Sequence, residues 1–405
     1  MRFDSKLREN SETLELSFDR TAILFALLAI TVQAFAQETN AQFITFEAPG
    51  AGLDNGQGTV PRSINDLGSI TGEYFDSSAA THGFVRVPDG TITTFDVPGA
   101  STANAQGTYP LSINLQGEIT GNYAYESNAV ATATRMGDPF WGRPDIPYLP
   151  ILWGLRRGIA FSTPIGFGIR GFVRYTDGAI TTFDAGPNPG TVPLSINARG
   201  EITGAYSNVG FVRAPGGTIT TFDLGIVTVP TSINLEGRIT GWYDDASYVC
   251  HGFIRTSAGK IVTFDPARSV CTIPESINIF GVITGEYSES SGATHGFVRA
   301  PNGAITAFNV SKAGAVQNTF ATSINDFGII TGEYSGASEV VHGFMRAPDG
   351  MITTFDAPGV AAPFQGDGTS PQSINLPGAI TGLYTDTNGT YHGFLLREIY
   401  RLDEK

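Results

Sequence analysis

The chain has 405 residues, 38 acidic against 24 basic side chains, a formal net charge of −14, 41% hydrophobic residues and 15% charged ones. A chain this anionic repels other polyanions, and no basic stripe offsets the charge, so nucleic acid is excluded as a partner. The apolar share is too high for a disordered chain, and the 50 glycines follow no collagen-like period.

Taken in order, the chain begins with mixed charge and then an apolar run, TAILFALLAITVQAFA, over residues 21–36. Arg20 flanks it, and Ala34-Phe35-Ala36 closes it as a small-x-small cleavage site. Residues 1–36 are therefore predicted to be a signal peptide. The alternative is a retained anchor, for which the run is short, since a spanning helix needs about 20 apolar residues. No later segment is long and apolar enough to span, so no membrane span is expected after cleavage. The chain is expected to be secreted and to work extracellularly or at the cell surface, with the periplasm as the other compartment.

From residue 41 to 402 the sequence repeats itself. Ser-Ile-Asn recurs at Asn65, Asn114, Asn197, Asn234, Asn278, Asn325 and Asn375, at spacings of 37 to 50 residues with one gap of 83. A period of this size signals a repeat architecture. One repeat, Ser63 to Asp96, reads as strand segments joined by two tight turns. Asn65-Asp66-Leu67-Gly68 and Pro88-Asp89-Gly90 each place glycine where a left-handed backbone is needed. Each repeat holds four short strands and no helix. Ile92 and Phe95 fall on opposite faces of the fourth strand, so the sheet is apolar on both faces. With no helices to cover them, neighbouring sheets must. The expected fold is all-β, a seven-bladed β-propeller of four-stranded blades, with an open solenoid as the alternative. Gly72 and its equivalents sit inside the second strand, where a close approach, expected from Phe84, would explain them.

These motifs, Ile-Asn-x-x-Gly-x-Ile-Thr-Gly, then His-Gly-Phe, then Gly-x-Ile-Thr-Thr-Phe-Asp, resemble the bacterial extracellular HAF-repeat family, named for a His-Ala-Phe triplet. The resemblance spans Phe43 to Arg397 apart from one insertion. Gly83 stands where the family usually has Ala. The resemblance implies a secreted bacterial protein of undefined activity and brings no catalytic residues.

Two irregularities carry information. Phe43 to Gly50 is a fourth strand with no first three before it, and the seventh repeat lacks a fourth strand after Arg397. The N-terminal strand is expected to complete the last blade beside residues 392–397 and close the ring, which would remove free sheet edges. Residues 124–170 form an insertion in the second blade, read as a large loop, with a decayed eighth blade as the alternative. Trp141, Tyr148, Trp153, Arg156 and Arg157 within it are candidate binding residues, since large aromatics anchor interfaces. The alternative is that this loop buries its own aromatics against the ring.

The short turns share one end of the ring, and the longer links and the insertion share the other, which is expected to be the working face. All five histidines, His82, His251, His295, His342 and His392, occupy one repeat position. An acid or amide follows 14 residues on, at Asp96, Asp265, Asn309 and Asp356. For His392 the partner is Glu47, through closure. These groups read as a repeated structural latch, beside tyrosines that end the second strand. The alternative, a ring for metal or sugar, suffers because symmetry spreads ligands that a metal needs converged. Arg170 and Val209 also interrupt the series. Arg86 and its equivalents read as surface pairs. No metal site or cofactor is expected, beyond weak calcium binding on acidic loops. Cys250 and Cys271 are expected to form a disulfide, which export permits.

No nucleophile elbow, P-loop or metalloprotease motif is present. The reading is a secreted, non-catalytic binding or structural module, monomeric, taking a glycan or protein at the loop-rich face. The alternative is a polysaccharide-acting hydrolase or lyase, for which Asp138, Asp145, Arg156 and Arg157 break the symmetry.

Overall fold

A computed structural model describes residues 40–103, 106–126, 167–310, 318–335, 340–361 and 367–399. Nearly all of these belong to one compact unit, Gln42–Arg397. Among the described residues every regular element is a strand. The first repeat illustrates the rest. Strand β1 (Asn40–Phe46) precedes it. The repeat itself is β2 (Gly58–Ile64), β3 (Ile70–Phe75), β4 (Thr81–Arg86) and β5 (Ile92–Phe95), paired antiparallel in that order. The second repeat supplies β6 (Thr108–Ile113), β7 (Ile119–Glu126), β8 (Phe167–Arg174) and β9 (Ile180–Phe183) as another four-stranded sheet. The last described strand, Tyr391–Ile399, pairs with β1.

The two apolar faces of each sheet are covered by the neighbouring sheets. One core joins Ile64, Ile70 and Phe84 of the first repeat to Leu395 and Phe46. The next joins Val85 and Phe95 to Ile113, Ile119 and Phe172 of the second repeat. The third-strand phenylalanine is fully buried in every repeat, from Phe84 to Phe394, and each contributes about 2–3 kcal/mol of burial. A preceding fourth-strand ring meets it edge-on, as Phe95 meets Phe172 at 6.2 Å between centroids.

The Ser-Ile-Asn triplet is the seam between repeats. Each serine hydroxyl accepts the N–H of the next repeat's isoleucine: Ser63 from Ile113, Ser112 from Ile196, and so on to Ser373 from Ile64. Each buried asparagine donates its amide to the next asparagine's carbonyl. The series runs from Asn65 to Asn114 at 2.9 Å, on through Asn197, Asn234, Asn278 and Asn325, and from Asn375 back to Asn65 at 3.0 Å. The same side chain holds its own turn, since Asn65 Oδ1 accepts from Leu67 and Ser69. Gly68, at φ 85°, closes that turn.

Two expectations about packing are corrected. The close approach at Gly72 is made first by backbone, not by Phe84: a Cβ there would lie 2.1 Å from the Val60 carbonyl oxygen. The cause is a β-bulge between Pro61 and Ser63 that pushes β2 towards β3. The arginines are not surface pairs. Arg86 is 5% exposed and lies over the Phe46 ring at 5.0 Å, and Arg174, Arg213, Arg255, Arg299 and Arg346 lie over the preceding repeat's ring in the same way. Each guanidinium is a cation–π bolt between sheets. In the seventh repeat Leu396 takes this place and pairs with Ile380 as Arg86 pairs with Ile70.

Cys250 and Cys271 form a disulfide with Cα atoms 4.5 Å apart. It joins the third strand of the fourth repeat to the first strand of the fifth, at a parallel bridge. In four other repeats a glycine sits at this position, as Gly107 does against Thr81, while the fourth has Val227 and the sixth Asn318. The cross-link closes a separation of 21 residues, which predicts a loss of about 3 kcal/mol on replacement of both cysteines by alanine. Urea unfolding with and without reductant checks it: reductant should shift the wild-type midpoint and leave the double variant unchanged.

Candidate functional site: the histidine positions and the link-rich end

The structure keeps the two short turns of a repeat side by side, with Pro88 against Gly68 and Pro348 against Gly328. The longer links lie at the other strand ends, where Asp76–Ala80 and Val97–Gly107 meet through the bond from Thr81 N to Gln106 O. The histidines stand at that second end, at the start of each third strand.

Each histidine is held from several directions. His82 sits on the Tyr74 ring at 5.0 Å between centroids. Its Nδ1 is 3.0 Å from Asp96, and its Nε2 is 3.4 Å from Asp76. His251 repeats this with Tyr243, Asp265 at 2.7 Å and Asp245 at 3.5 Å. His295 bonds Asn309 at 2.8 Å and faces Glu289. His342 bonds Asp356 at 2.9 Å. His392 bonds Glu47, carried by the segment after β1, and Asp386 lies 3.3 Å from its other nitrogen. The acid six residues upstream, on the link, was not apparent from the sequence. Its signal was the Asp or Glu that opens the links of the first, fourth, fifth and seventh repeats.

The interruption at Arg170 is corrected. Arg170 Nε lies 3.0 Å from Asp184, and its guanidinium lies 4.9 Å from the centre of the Tyr125 ring. An N–H directed at the acid 14 residues on and an aromatic platform recur, with arginine in place of histidine. At Val209 the third repeat has only a short turn between its second and third strands.

Burial alone would lower the pKa of His251. The hydrogen bonds and charges of Asp265 and Asp245 outweigh it, and the net shift is upward. Asp245 is held low, first by the Val249 N–H and in lesser part by His251. A histidine with a raised folded pKa adds stability that is complete below its unfolded value of about 6.5 and is lost as pH rises through the folded pKa. His251→Asn should therefore cost most near pH 5–6 and progressively less towards pH 8. Thermal midpoints of wild type and variant across that range check it, and a pH-independent gap would contradict it.

The described residues thus bring each histidine to its paired acid or amide and to a tyrosine, one such latch in each of the five repeats that carry a histidine, and do not converge the latches. Trp141, Tyr148, Trp153, Arg156 and Arg157, with Asp138 and Asp145, lie outside the described residues, as does the predicted signal peptide. The insertion is narrower than 124–170: Ala124↔Ile169, Tyr125↔Gly168 and Glu126↔Phe167 continue the β7–β8 ladder. A second polar feature lies deeper. Arg62 Nε donates to Glu73 Oε1 at 2.8 Å, with both side chains buried. Burial raises the Glu73 pKa, and the charge and hydrogen bond of Arg62 only partly oppose it. The equivalent second-strand position is Asn122, Ala205, Trp242, Glu286, Glu333 or Leu383, so this buried site differs in chemistry around the repeats.

No family model matches the chain, and no curated protein matches it. Solved structures do. A catalytically inactive virginiamycin B lyase from Staphylococcus aureus with quinupristin is 13% identical, with a TM-score of 0.53, covering 89% of this chain and 100% of that one. A streptogramin B lyase is 13% identical, with a TM-score of 0.51 over 88% of this chain and 98% of that one. The β-propeller domain of the trilobed protease from Pyrococcus furiosus, described as having an open velcro topology, is 8% identical, with a TM-score of 0.51 over 88% of this chain and 99% of that one. At such identities the likeness speaks of fold alone: this chain is an all-β protein of four-stranded sheets with the β-propeller fold.

Proposed function

We propose that the chain is an exported, non-catalytic binding or structural module of the HAF-repeat kind, a ring of seven blades closed by β1, which takes a glycan or a protein at its loop-rich end. The observation that carries this reading is the engagement of the repeated polar groups with internal partners. The histidines and their acids latch sheet to link, and the serines and asparagines bind the next repeat. Chemistry of this kind builds a scaffold and leaves the links between strands to meet a partner. The bond from Asn375 to Asn65 and the pairing of β1 with Tyr391–Ile399 support closure.

The test is a glycan array probed with residues 37–405, with and without calcium, followed by a pull-down from envelope extract, both repeated after replacing residues 127–166 by a short linker. Selective binding without turnover, lost with the insertion, is the expected result. Cleavage of a bound polysaccharide, or partner binding that ignores the insertion, would overturn the reading.

A further inference from the structure

Two turns at the link-rich end of the fourth repeat carry large side chains where other repeats carry small ones. In the link between its second and third strands, Tyr248 N–H bonds the Asp245 carbonyl and Asp245 N–H bonds the Val249 carbonyl. The same closed turn recurs in the first, fifth and seventh repeats, with Ala79, Gly292 and Gly389 in the place of Tyr248. The position requires a left-handed backbone, φ 60° at Tyr248 and 83° at Gly292. Glycine adopts it without steric cost, and tyrosine does not.

The second turn follows the fourth strand. Ser269 N–H bonds the Pro266 carbonyl across it, with Arg268 at φ 70°. The matching turns Ala48–Ala51, Val97–Ala100 and Ala357–Val360 place Gly50, Gly99 and Gly359 there, all at positive φ. Positive φ at the third residue of such a turn is glycine's place.

The two exceptions meet at the disulfide. Tyr248 stands just ahead of Cys250, and Arg268 just ahead of Cys271. The two chains run parallel through the bridge, so both residues lie on the same end of it. Strained backbone held in two neighbouring turns beside a covalent tie marks a pre-organised site.

Both side chains are exposed, Tyr248 by 54%. Among the described residues neither makes a side-chain hydrogen bond, an ion pair or a ring contact. Their neighbours are engaged. Asp265 holds His251 and the Thr272 hydroxyl, and Asp245 accepts from Ser247 and Val249 and faces His251. Burial raises the Tyr287 pKa; Glu289 adds to the rise and Arg268 opposes it, which sets both charges near that ring.

The chemistry of the corner narrows the ligand. Asp245, Asp265 and Glu289 stand against Arg268, His251 and His295, a near balance that selects neither an anion nor a cation. Ala246, Ser247 and Ala267 surround the tyrosine with small side chains and leave one ring instead of the packed pocket of a protein hot spot. A single aromatic face, negative at its centre, suits the C–H face of a sugar ring. A guanidinium beside it offers several donors to hydroxyl oxygens.

We propose that Tyr248 and Arg268 form a subsite for a neutral pyranose of a glycan chain. The proposal rests on the reading of the link-rich end as the binding end and names the ligand class there.

The probes are cellotetraose, mannotetraose and galactotetraose, titrated into residues 37–405 by saturation-transfer NMR, beside tetragalacturonate and a glucosamine tetramer. At least one neutral tetrasaccharide should bind saturably, and more tightly than the charged ones. Tyr248→Gly and Arg268→Gly should each weaken it roughly tenfold or more. Their thermal midpoints should hold or rise, because glycine relieves the left-handed turns; a purely structural role predicts a fall with binding intact. Phe327→Ser, at an exposed residue on the opposite end, should leave binding unchanged. No binding of any neutral tetrasaccharide, tighter binding of a charged one, or binding that ignores both glycine variants would overturn the proposal. Binding lost with residues 127–166 but indifferent to both glycine variants would overturn this subsite alone and leave the wider reading standing. Binding lost in the glycine variants but kept without residues 127–166 would support the subsite and remove the insertion from the wider reading. Capture of an envelope protein through Tyr248, with no sugar bound, would assign the corner to a protein partner and overturn the saccharide.

Discussion

Replacing Arg62 by alanine is expected to cost about 3–5 kcal/mol at neutral pH, because it leaves a buried carboxylate without its counter-charge. Glu73 is wholly buried, Arg62 is nearly so, and the pair spans the first two strands of one sheet at the bulge. Burial already pushes the Glu73 pKa up against the pull of Arg62, and without the guanidinium it must rise further. A carboxyl whose folded pKa lies above its unfolded value favours folding below the unfolded value and loses that contribution as pH rises through the folded pKa. The penalty of Arg62→Ala should therefore shrink as pH falls and Glu73 takes up a proton. Glu73→Gln in the same background should restore much of the loss at pH 7, since a neutral amide does not need the cation. Chemical denaturation of the two single variants and the double variant at pH 7 and at mildly acidic pH measures all three effects. A cost below about 1 kcal/mol at pH 7 would mean that solvent reaches Glu73 and that the pair is not the buried clamp its geometry describes.

The legible part of this fold came from spacing. Turn glycines at fixed offsets and a fourth strand apolar on both faces point to stacked sheets, because strand alternation and the lack of any helix leave no other cover. The histidine and the acid 14 residues later are joined by a hairpin of fixed length, so their contact follows from register: Gly83 pairs with Phe95, which puts His82 and Asp96 side by side. What could not be read depends on relations between repeats. The serine and asparagine of Ser-Ile-Asn look like turn residues within one repeat, and their partners lie in the next, 37 to 83 residues on. The arginines looked like surface charges because nothing local shows that the preceding sheet lays a phenylalanine ring under each guanidinium. The close approach at Gly72 is hidden for a similar reason: a bulge in the adjacent strand brings its backbone closer than any side chain. Arg170 departs from the histidine series by residue type, yet its ion pair with Asp184 keeps the contact with the side chain 14 residues on, which residue type alone does not reveal.

Deleting residues 37–49 should have the largest effect on the whole molecule, if β1 is the fourth strand of the last sheet. Phe43 lies 5.9 Å from Phe394, and Phe46 lies 6.1 Å from Phe84 and beneath Arg86, so one strand contributes to the cores on both sides of the last sheet. Ala48 is buried, with its N–H on the Thr59 hydroxyl, and Glu47 holds His392. Losing partial burial of Phe43, Ile44 and Phe46, full burial of Ala48 and these polar contacts should cost on the order of 5 kcal/mol or more. That is a large part of the stability of an ordinary domain. The deletion also exposes the unpaired edge of Tyr391–Ile399, an edge that templates aggregation, so the truncated protein should associate as well as melt early. A chain beginning at residue 37 is the control and should keep its thermal midpoint. A peptide of residues 37–50 added in trans should recover part of the thermal midpoint, because the site it fills is preformed by strand Tyr391–Ile399 and by the Phe84 and Phe394 rings. If the truncated chain kept its midpoint and stayed monodisperse, the contacts of β1 would be dispensable beside the seam of Ser373 and Asn375 with the first repeat. Loss with recovery in trans would make the N-terminal strand the latch that joins the last sheet to the first.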